Sequence, residues 1–163
     1  MNSSPRNVAG LTVIRTAIAA GDSSLLVVAL RVERQTLAKR LWRGTAADGP
    51  DFGFELEAPL KHGDVFFENA SVRYVIEQIP EPVVEISLEI TPAAAAGIGW
   101  AVGNLHLELA AEPIRLLAPD EPAVRQLLER LKVPYRTTEA VFRPGRFARG
   151  NLPTHDLGPS HRH

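Results

Sequence analysis

The 163-residue chain contains no cysteine. Disulfide bonds, thiolate zinc sites, iron–sulfur clusters and cysteine nucleophiles are therefore all excluded. A metal site in this chain has to use imidazole and oxygen ligands, which suit nickel, copper or zinc better than a thiophilic ion.

The sequence also lacks a large excess of charge of either sign, and it lacks long apolar runs. The formal net charge is −1 at pH 7, so no overall field attracts nucleic acid or an anionic membrane. No apolar run approaches the roughly 20 residues that span a bilayer, and Arg15 interrupts the N-terminal stretch LTVIRTAIAA, which otherwise has the character of a signal peptide. We therefore expect a soluble cytoplasmic protein with neither nucleic-acid nor membrane partners.

Motifs that carry catalysis are absent as well. The sequence has no nucleophile-elbow GxSxG, no P-loop, no HExxH and no dinucleotide-binding fingerprint. Its carboxylates are scattered, and the pattern singles out no catalytic base. We therefore expect that the protein is not an enzyme.

What is present in the first half predicts β-structure throughout. Segments rich in β-branched and aromatic residues are separated by turn signals at Asp48-Gly49 and His62-Gly63-Asp64, where His62 is expected to be solvent-exposed. The predicted strands are LTVIRTAI, LLVVALRVE, AKRLWRG, DFGFELE, VFFEN and SVRYVIEQI. Residues 1–80 are thus predicted to form an all-β domain, either a small sandwich or an open barrel.

The second half has a different pattern. VVEISLEI predicts a strand, Thr91-Pro92 caps an alanine-rich helix, and HLELAAE and PIRLLA predict two short strands. AVRQLLERL has the apolar period of an amphipathic helix, with Asp120-Glu121 expected to cap it, and PYRTTEAVF predicts a last strand. The order β-α-β-β-α-β predicts a ferredoxin-like domain over residues 83–143 and an α+β fold for the whole chain.

After Phe142 the chain is rich in proline and glycine and has no apolar period, which predicts a flexible tail over residues 144–163. Three of the five histidines lie there, at His155, His161 and His163. A mobile segment with several imidazoles can fold over a metal ion and release it again. A tail without any metal role is the alternative.

His106 stands alone in AVGNLHLEL, where the predicted helix gives way to a strand. Gly103 and Asn104 both tolerate the left-handed conformation that ends a helix. A single imidazole binds a divalent ion weakly, and useful affinity takes about three or four ligands. A dimer axis beside His106 would bring two imidazoles together, whereas a purely structural or surface role is the alternative.

One stretch concentrates positive charge, comprising Arg34, Lys39, Arg40 and Arg43 with Trp42 among them. Two interpretations stay open. The charges form a solvated outer face beside a buried tryptophan, or they form a docking surface for an acidic partner or peptide.

Taken together, these features resemble the UreE family of urease accessory nickel metallochaperones over about residues 10–145. The similar segments are AKRLWRG, DGPDFGFELEAPLKHGDVFF, RYVIEQIPEPVVEI, GWAVGNLHLEL with the family's GNxH pattern, LLERLKVPY and VFRPG. One departure is LAPDEPAV, which lacks the histidines that many members carry between the third strand and second helix of this domain. Asp120 would be the oxygen ligand available there.

The resemblance implies a peptide-binding-like β domain, a ferredoxin-like metal-binding domain and a homodimer. It further implies that His106 from two subunits binds one Ni(II), and that His155, His161 and His163 add ligands or ions, with Zn(II) and Cu(II) as competing ions at the same site. The nickel would be delivered for urease metallocentre assembly, with the accessory GTPase UreG and the urease apoprotein maturation complex as partners. The alternative is a non-enzymatic protein-interaction scaffold of the same fold that handles little nickel.

Overall fold

The structure, a computed structural model, describes residues 6–8, 11–19, 21, 24–149 and 152–156. The chain divides into two compact units, Met1–Ile79 and Pro80–His163. Strands and helices occur together, so the α+β class is confirmed. None of the helices within the described ranges is long and apolar enough to cross a membrane.

The first unit consists mainly of strands. In chain order its elements are β1 (Arg6–Val8), β2 (Leu11–Ile14), β3 (Leu26–Val32), α1 (Arg34–Leu37), β4 (Leu41–Thr45), β5 (Asp51–Glu55), β6 (Val65–Glu68) and β7 (Val72–Gln78). They form two sheets, with the orders β1-β2-β5-β4 and β3-β7-β6. The expectation of an all-β unit is wrong at α1, a single helical turn too short to show an apolar period.

The two sheets share a core in which a cluster of aromatic side chains packs among aliphatic ones. Trp42 stacks on Phe54 with ring centroids 3.7 Å apart, and Phe66 meets Phe54 edge-on at 5.3 Å. Phe52 and Tyr74 pack beside them, 5.1 Å apart. Phe52 and Phe54 are two positions apart on β5, and this alternation along a strand is the pattern that one buried sheet face produces.

The sequence predicted the turns of this unit better than it predicted which strands pair with each other. The β4–β5 hairpin is confirmed, with Gly49 at φ +109° in its turn. Gly63 has φ +87° in the turn before β6. However, β2 and β3 lie in different sheets and pair in parallel with the distant strands β5 and β7, pairings that no local pattern reveals.

The second unit has the predicted element order β-α-β-β-α-β, followed by two more strands. Its elements are β8 (Glu81–Ser87), α2 (Pro92–Gly103), β9 (Ala110–Ala111), β10 (Arg115–Pro119), α3 (Pro122–Arg130), β11 (Arg136–Ala140), β12 (Arg146–Arg149) and β13 (Leu152–Asp156). They form one sheet in the order β11-β8-β10-β9-β12-β13, in which all neighbours are antiparallel except β9 and β12.

Both faces of this sheet carry apolar clusters. Val84 and Ile86 of β8 share a core with the buried residues of α2 and α3. Val83 lies on the opposite face, because successive residues of a strand alternate, and it packs with Leu117 and Phe142. The two helices therefore cover one face, and the segment after β11 covers part of the other.

Three local predictions about this unit need correction. Only Ala110–Ala111 of HLELAAE is a strand, and Leu107 and Leu109 pack against the core outside it. Asp120-Glu121 does not cap α3: Glu121 occupies the N-cap position, but its side chain makes no capping bond. The predicted tail over residues 144–163 is not without regular structure, since it contains β12 and β13.

Candidate metal centre

The C-terminal end of α2 exposes a histidine in an unusual backbone conformation. After the C-cap residue Asn104, the N–H groups of Leu105 and His106 donate to carbonyls three residues earlier, at 3.0 and 2.9 Å. His106 itself then has φ +57°, in the left-handed region. The chain then continues to β9, which begins at Ala110.

This corrects the predicted location of the left-handed residue. Gly103 is still helical and Asn104 has φ −67°, so neither adopts the conformation that was expected of one of them. A non-glycine residue in the left-handed region costs about 1–2 kcal/mol, although histidine is found there more often than most residues. Such strained positions cluster at functional sites, which makes His106 a candidate functional residue.

The imidazole of His106 is exposed to solvent. Its side chain has no hydrogen-bond or ion-pair partner among the residues that the structure describes. Nor do the described ranges contain a group of three or more histidine, aspartate or glutamate side chains close enough to hold a metal ion. His106 alone thus offers one free nitrogen ligand, and any further ligands have to come from elsewhere.

The surface leading to His106 is apolar and uncharged. From Pro92 to Gly103, helix α2 contains no charged residue, only alanine, glycine, valine, isoleucine and one tryptophan after the proline. Ile98 and Val102 are buried, but Trp100 is 73% exposed. Helices that are apolar all round are normally buried on every side. The exposed side of α2 therefore has the character of an interface, which we call the α2 face (Ala93, Ala96, Gly97, Trp100).

Sequence reasoning missed this face, although its signal was present. The alanine-rich segment was correctly predicted as a helix with Thr91 as its cap, and the Thr91 hydroxyl accepts a hydrogen bond from the Ala94 N–H at 3.2 Å. The absence of charge around the whole helix was the feature that pointed to an uncovered surface.

The other histidines are not brought to His106 by the described structure. His155 lies in β13, where its backbone is paired with that of Phe147. His161 and His163 lie outside the described residues. His62 is only half-exposed, and its Nδ1 accepts a hydrogen bond from the Gln78 N–H at 3.0 Å, so the expectation of a solvent-exposed turn residue is wrong.

Asp120, the other ligand considered from sequence, is already engaged. Its two carboxylate oxygens accept hydrogen bonds from Nε and Nη2 of Arg125 at 2.6 and 2.9 Å. A bidentate arginine occupies both oxygens of a carboxylate. Asp120 thus serves as a partner for Arg125 within α3 rather than as a cap or a free ligand.

The strongest charge network of this unit surrounds Glu85 on β8. The carboxylate accepts hydrogen bonds from Arg115 at 2.8 Å and from Arg136 at 2.6 and 2.9 Å, and Arg115 also donates to Glu112 at 2.6 Å. Burial alone raises the pKa of Glu85, but the bonds from the two arginines outweigh it and lower that pKa below its ordinary value. Glu85 is therefore a structural carboxylate that ties β10 and β11 to β8.

Known proteins of one family are similar to this chain over most of its length. Residues 81–163 match the family model described as the C-terminal domain of the UreE urease accessory protein. The urease accessory protein UreE of Rhodobacter capsulatus is 30% identical over 140 residues, which cover 83% of this chain and 85% of that protein. UreE of Lysinibacillus sphaericus is 30% identical over 70% of this chain and 78% of its own, and UreE of Deinococcus radiodurans is 33% identical over 68% and 70%.

The described residues define a class of protein, one with two α+β units and a free histidine at the end of an uncharged helix. Within that class the matches are specific. The chain belongs to the UreE family of urease accessory proteins, as its sequence features indicated. Members of this family are accessory proteins and not enzymes, which agrees with the expectation drawn from the missing catalytic motifs.

Proposed function

We propose that the protein is a nickel metallochaperone, which binds Ni(II) and delivers it for urease metallocentre assembly. The observation that carries this proposal is the free imidazole of His106 at the end of the uncharged α2 face. A neutral imidazole is a good ligand for Ni(II), and protons compete for it as the pH falls, which gives a reversible site.

A single His106 cannot hold the ion firmly, since useful affinity takes about three or four ligands. Two copies of the chain that pack through their α2 faces solve this problem. Each copy buries the apolar surface around Trp100, and the two-fold axis brings the two His106 residues together. The homodimer thereby builds a site to which each copy contributes the same residue.

The tail supplies the remaining ligands in this proposal. The candidates are His155, in strand β13, and His161 and His163 beyond that strand, and they would have to approach the two His106 residues to enclose the ion and leave them to release it. Zn(II) and Cu(II) compete for the same imidazoles, since they follow the general affinity order of divalent metals. The recipients are the accessory GTPase UreG and the urease apoprotein maturation complex. Together with a cytoplasmic location, they rest on family membership and sequence.

The domain assignments belong to the same proposal. Residues 83–143 form the ferredoxin-like metal-binding domain, and residues 1–80 form the peptide-binding-like domain. The observed element order and the sheet order β11-β8-β10-β9 support the first assignment.

Size-exclusion chromatography with in-line metal analysis tests the shared site directly. With Ni(II) added, we expect a dimer that carries about one ion per two chains at His106, and more only if the tail holds further ions. Calorimetry that detects no nickel binding near micromolar metal would contradict the proposal and favour the alternative, a protein-interaction scaffold of the same fold.

Variants separate the two groups of ligands. His106→Gly removes the imidazole and relieves the left-handed strain, so we expect the variant to lose nickel affinity and to stay folded. His62→Ala is the matched control, since it removes a histidine from the first unit. A triple variant with alanine at 155, 161 and 163 should keep the dimer and lower the affinity. Unchanged affinity and stoichiometry in His106→Gly would refute the shared site.

A further inference from the structure

The first unit has an unpaired sheet edge that carries positive charge. Strand β4 is the last strand in the order β1-β2-β5-β4, so only one of its sides is paired within that sheet. Exposed strand edges present unpaired N–H and C=O groups to which another chain can pair. The sequence had already singled out this stretch for its cluster of basic residues.

The hydrogen bonds at both ends of β4 show which of its backbone groups are used. At one end the Leu56 N–H donates to the Arg40 carbonyl at 2.7 Å, and at the other the Ala46 N–H donates to the Pro50 carbonyl at 2.9 Å. Bonded residues alternate along an antiparallel pair. The even-numbered residues of β4 therefore bond to β5, and the odd-numbered residues point their backbone groups the other way.

Leu41 and Arg43 thus direct their N–H and C=O groups toward the open side of β4. In the part of the chain that the structure describes, these groups have no backbone partner. The opening ends near β3, where the Ala47 N–H donates to the Ala29 carbonyl at 2.9 Å. The Lys39 N–H already donates to the Thr36 carbonyl at 3.0 Å, so the stretch of backbone that is free to accept an added strand runs from Leu41 to Arg43.

The side chains on and just before this stretch are cationic and unpaired. Lys39, Arg40 and Arg43 are all exposed, and none of their side chains has an ion pair or hydrogen bond with any described residue. Leu41, which is 74% exposed, adds an apolar contact between them. We call this surface the β4 edge (Lys39, Arg40, Leu41, Arg43).

Two nearby carboxylates, Glu55 and Asp51, offset only part of the charge of the β4 edge, because Lys39, Arg40 and Arg43 outnumber them. Glu55, opposite Leu41, accepts a hydrogen bond from Arg15 at 3.1 Å. Asp51 accepts one from the Thr45 hydroxyl at 2.7 Å. The strand therefore keeps an excess of positive charge on its open side.

A shallow cleft of about 200 Å³ adjoins the edge on the outer face of this sheet, lined by Leu11, Arg43, Gly44, Thr45 and Asp51. It combines apolar and polar walls with the guanidinium of Arg43. A side chain of an added strand would find both an apolar contact and a cation there.

We propose that the β4 edge binds an extended, acidic segment of another protein, which pairs with Leu41 and Arg43 as an additional strand. Main-chain bonds supply the attachment in such strand addition, and side chains supply the selectivity. The charges select carboxylates and reject a second copy of this chain, because two β4 edges would place their own arginines together. No metal takes part, so this activity and nickel binding stand or fall separately.

The test uses the full chain and a labelled probe, a peptide of about eight residues that alternates glutamate and valine, with a lysine–valine peptide as its counterpart. We expect binding of the acidic peptide only, weakened by added salt. Amide hydrogen exchange measured by NMR should show new protection at Leu41 and Arg43. Trp42 and Gly44, whose groups already bond to β5, should not change.

Charge reversal gives the second measurement. Arg43→Glu should weaken binding of the acidic peptide by about fivefold or more, and Arg40→Glu provides an independent variant if the first fails to fold. Arg130→Glu makes the same change of charge on α3 and should leave binding unaltered. The proposal would be overturned by equal binding of both peptides, by protection elsewhere in the chain, or by no response at about 1 mM acidic peptide. It would also be overturned if the β4 edge bound an oligonucleotide instead of the acidic peptide.

Discussion

The two units bury their apolar residues in different ways. The first packs Trp42, Phe52, Phe54 and Phe66 into one aromatic cluster between its two sheets. The second builds its main core from aliphatic side chains, with Phe142 on the other face of the sheet. Large rings fill the space between two small sheets with few residues. An alanine- and glycine-rich helix such as α2 has too little side chain to do so.

The surfaces of the two units differ as well. The first unit presents Arg43 and its cationic neighbours at an open strand edge, whereas the second presents the uncharged α2 face with Trp100. A charged edge favours partners through electrostatic steering and selectivity, and an apolar helix face favours partners through burial. We therefore expect the two units to make different kinds of contact.

The largest effect is expected in the aromatic core. Phe54 is fully buried and stacks on Trp42, so Phe54→Ala removes a large side chain from a packed cluster. Such truncations cost about 3–5 kcal/mol of unfolding free energy. Urea denaturation measures the loss, and Phe54→Leu should cost clearly less because it leaves a smaller cavity. A loss below about 1 kcal/mol would mean that the cluster is not the stabilising core of this unit.

A smaller but more specific effect is expected at the α2 face. Trp100→Glu places a charge where two helices are proposed to meet, and it should weaken dimerisation by about 3 kcal/mol, more than a hundredfold. The fold of each chain should survive, because Trp100 is 73% exposed. Ile114→Glu is the matched control, since Ile114 is 76% exposed in the turn between β9 and β10. Sedimentation velocity at several concentrations decides the matter, and equal dimerisation of both variants would contradict the α2 interface.

Much of the fold followed from local pattern. The period of AVRQLLERL gave α3, Thr91-Pro92 gave the start of α2, and Asp48-Gly49 gave the β4–β5 hairpin. In each case the sequence signal lies within the element that it predicts or directly beside it. The parallel pairing of β3 with β7 was not predictable, because it joins residues 46 positions apart that no local pattern connects.

The candidate site likewise has one feature that the sequence predicted and one that it did not. His106 was found from its neighbours and from the family resemblance, but its left-handed backbone was expected at Gly103 or Asn104. Intrinsic preference favours glycine or asparagine there. The chain instead turns two residues after the cap, where Leu107 has to reach the core. Tertiary packing thus overrode the local preference.

A third prediction concerns the charge network at Glu85, which has no counterpart in the aromatic core. Glu85→Gln should cost about 2 kcal/mol near neutral pH, as expected for hydrogen bonds to a charged group. The pKa of Glu85 is lowered in the folded protein, so its contribution is complete above the ordinary value of 4.5 and is lost as the pH falls through the lower folded value. The difference between the two proteins should therefore shrink below about pH 4.5.

Chemical denaturation between neutral and acid pH measures that difference. Glu139→Gln is the control, because Glu139 is exposed on β11, and its free energy of unfolding should follow the wild type at every pH. A cost for Glu85→Gln that does not change with pH would show that packing, and not the two arginines, is responsible.

The smallest effect asks whether the α2 face is open in a single chain. A Cβ added at Gly97 would meet nothing within 4 Å, so Gly97→Ala should stabilise the helix of a single chain by about 0.5–1 kcal/mol. Two helices that approach through small residues have no room for the added methyl group, and the same change should weaken the dimer. Thermal unfolding of dilute protein and a dimerisation isotherm should therefore move in opposite directions. If both improve, the surface around Gly97 is simply exposed, and the apolar character of α2 requires another explanation.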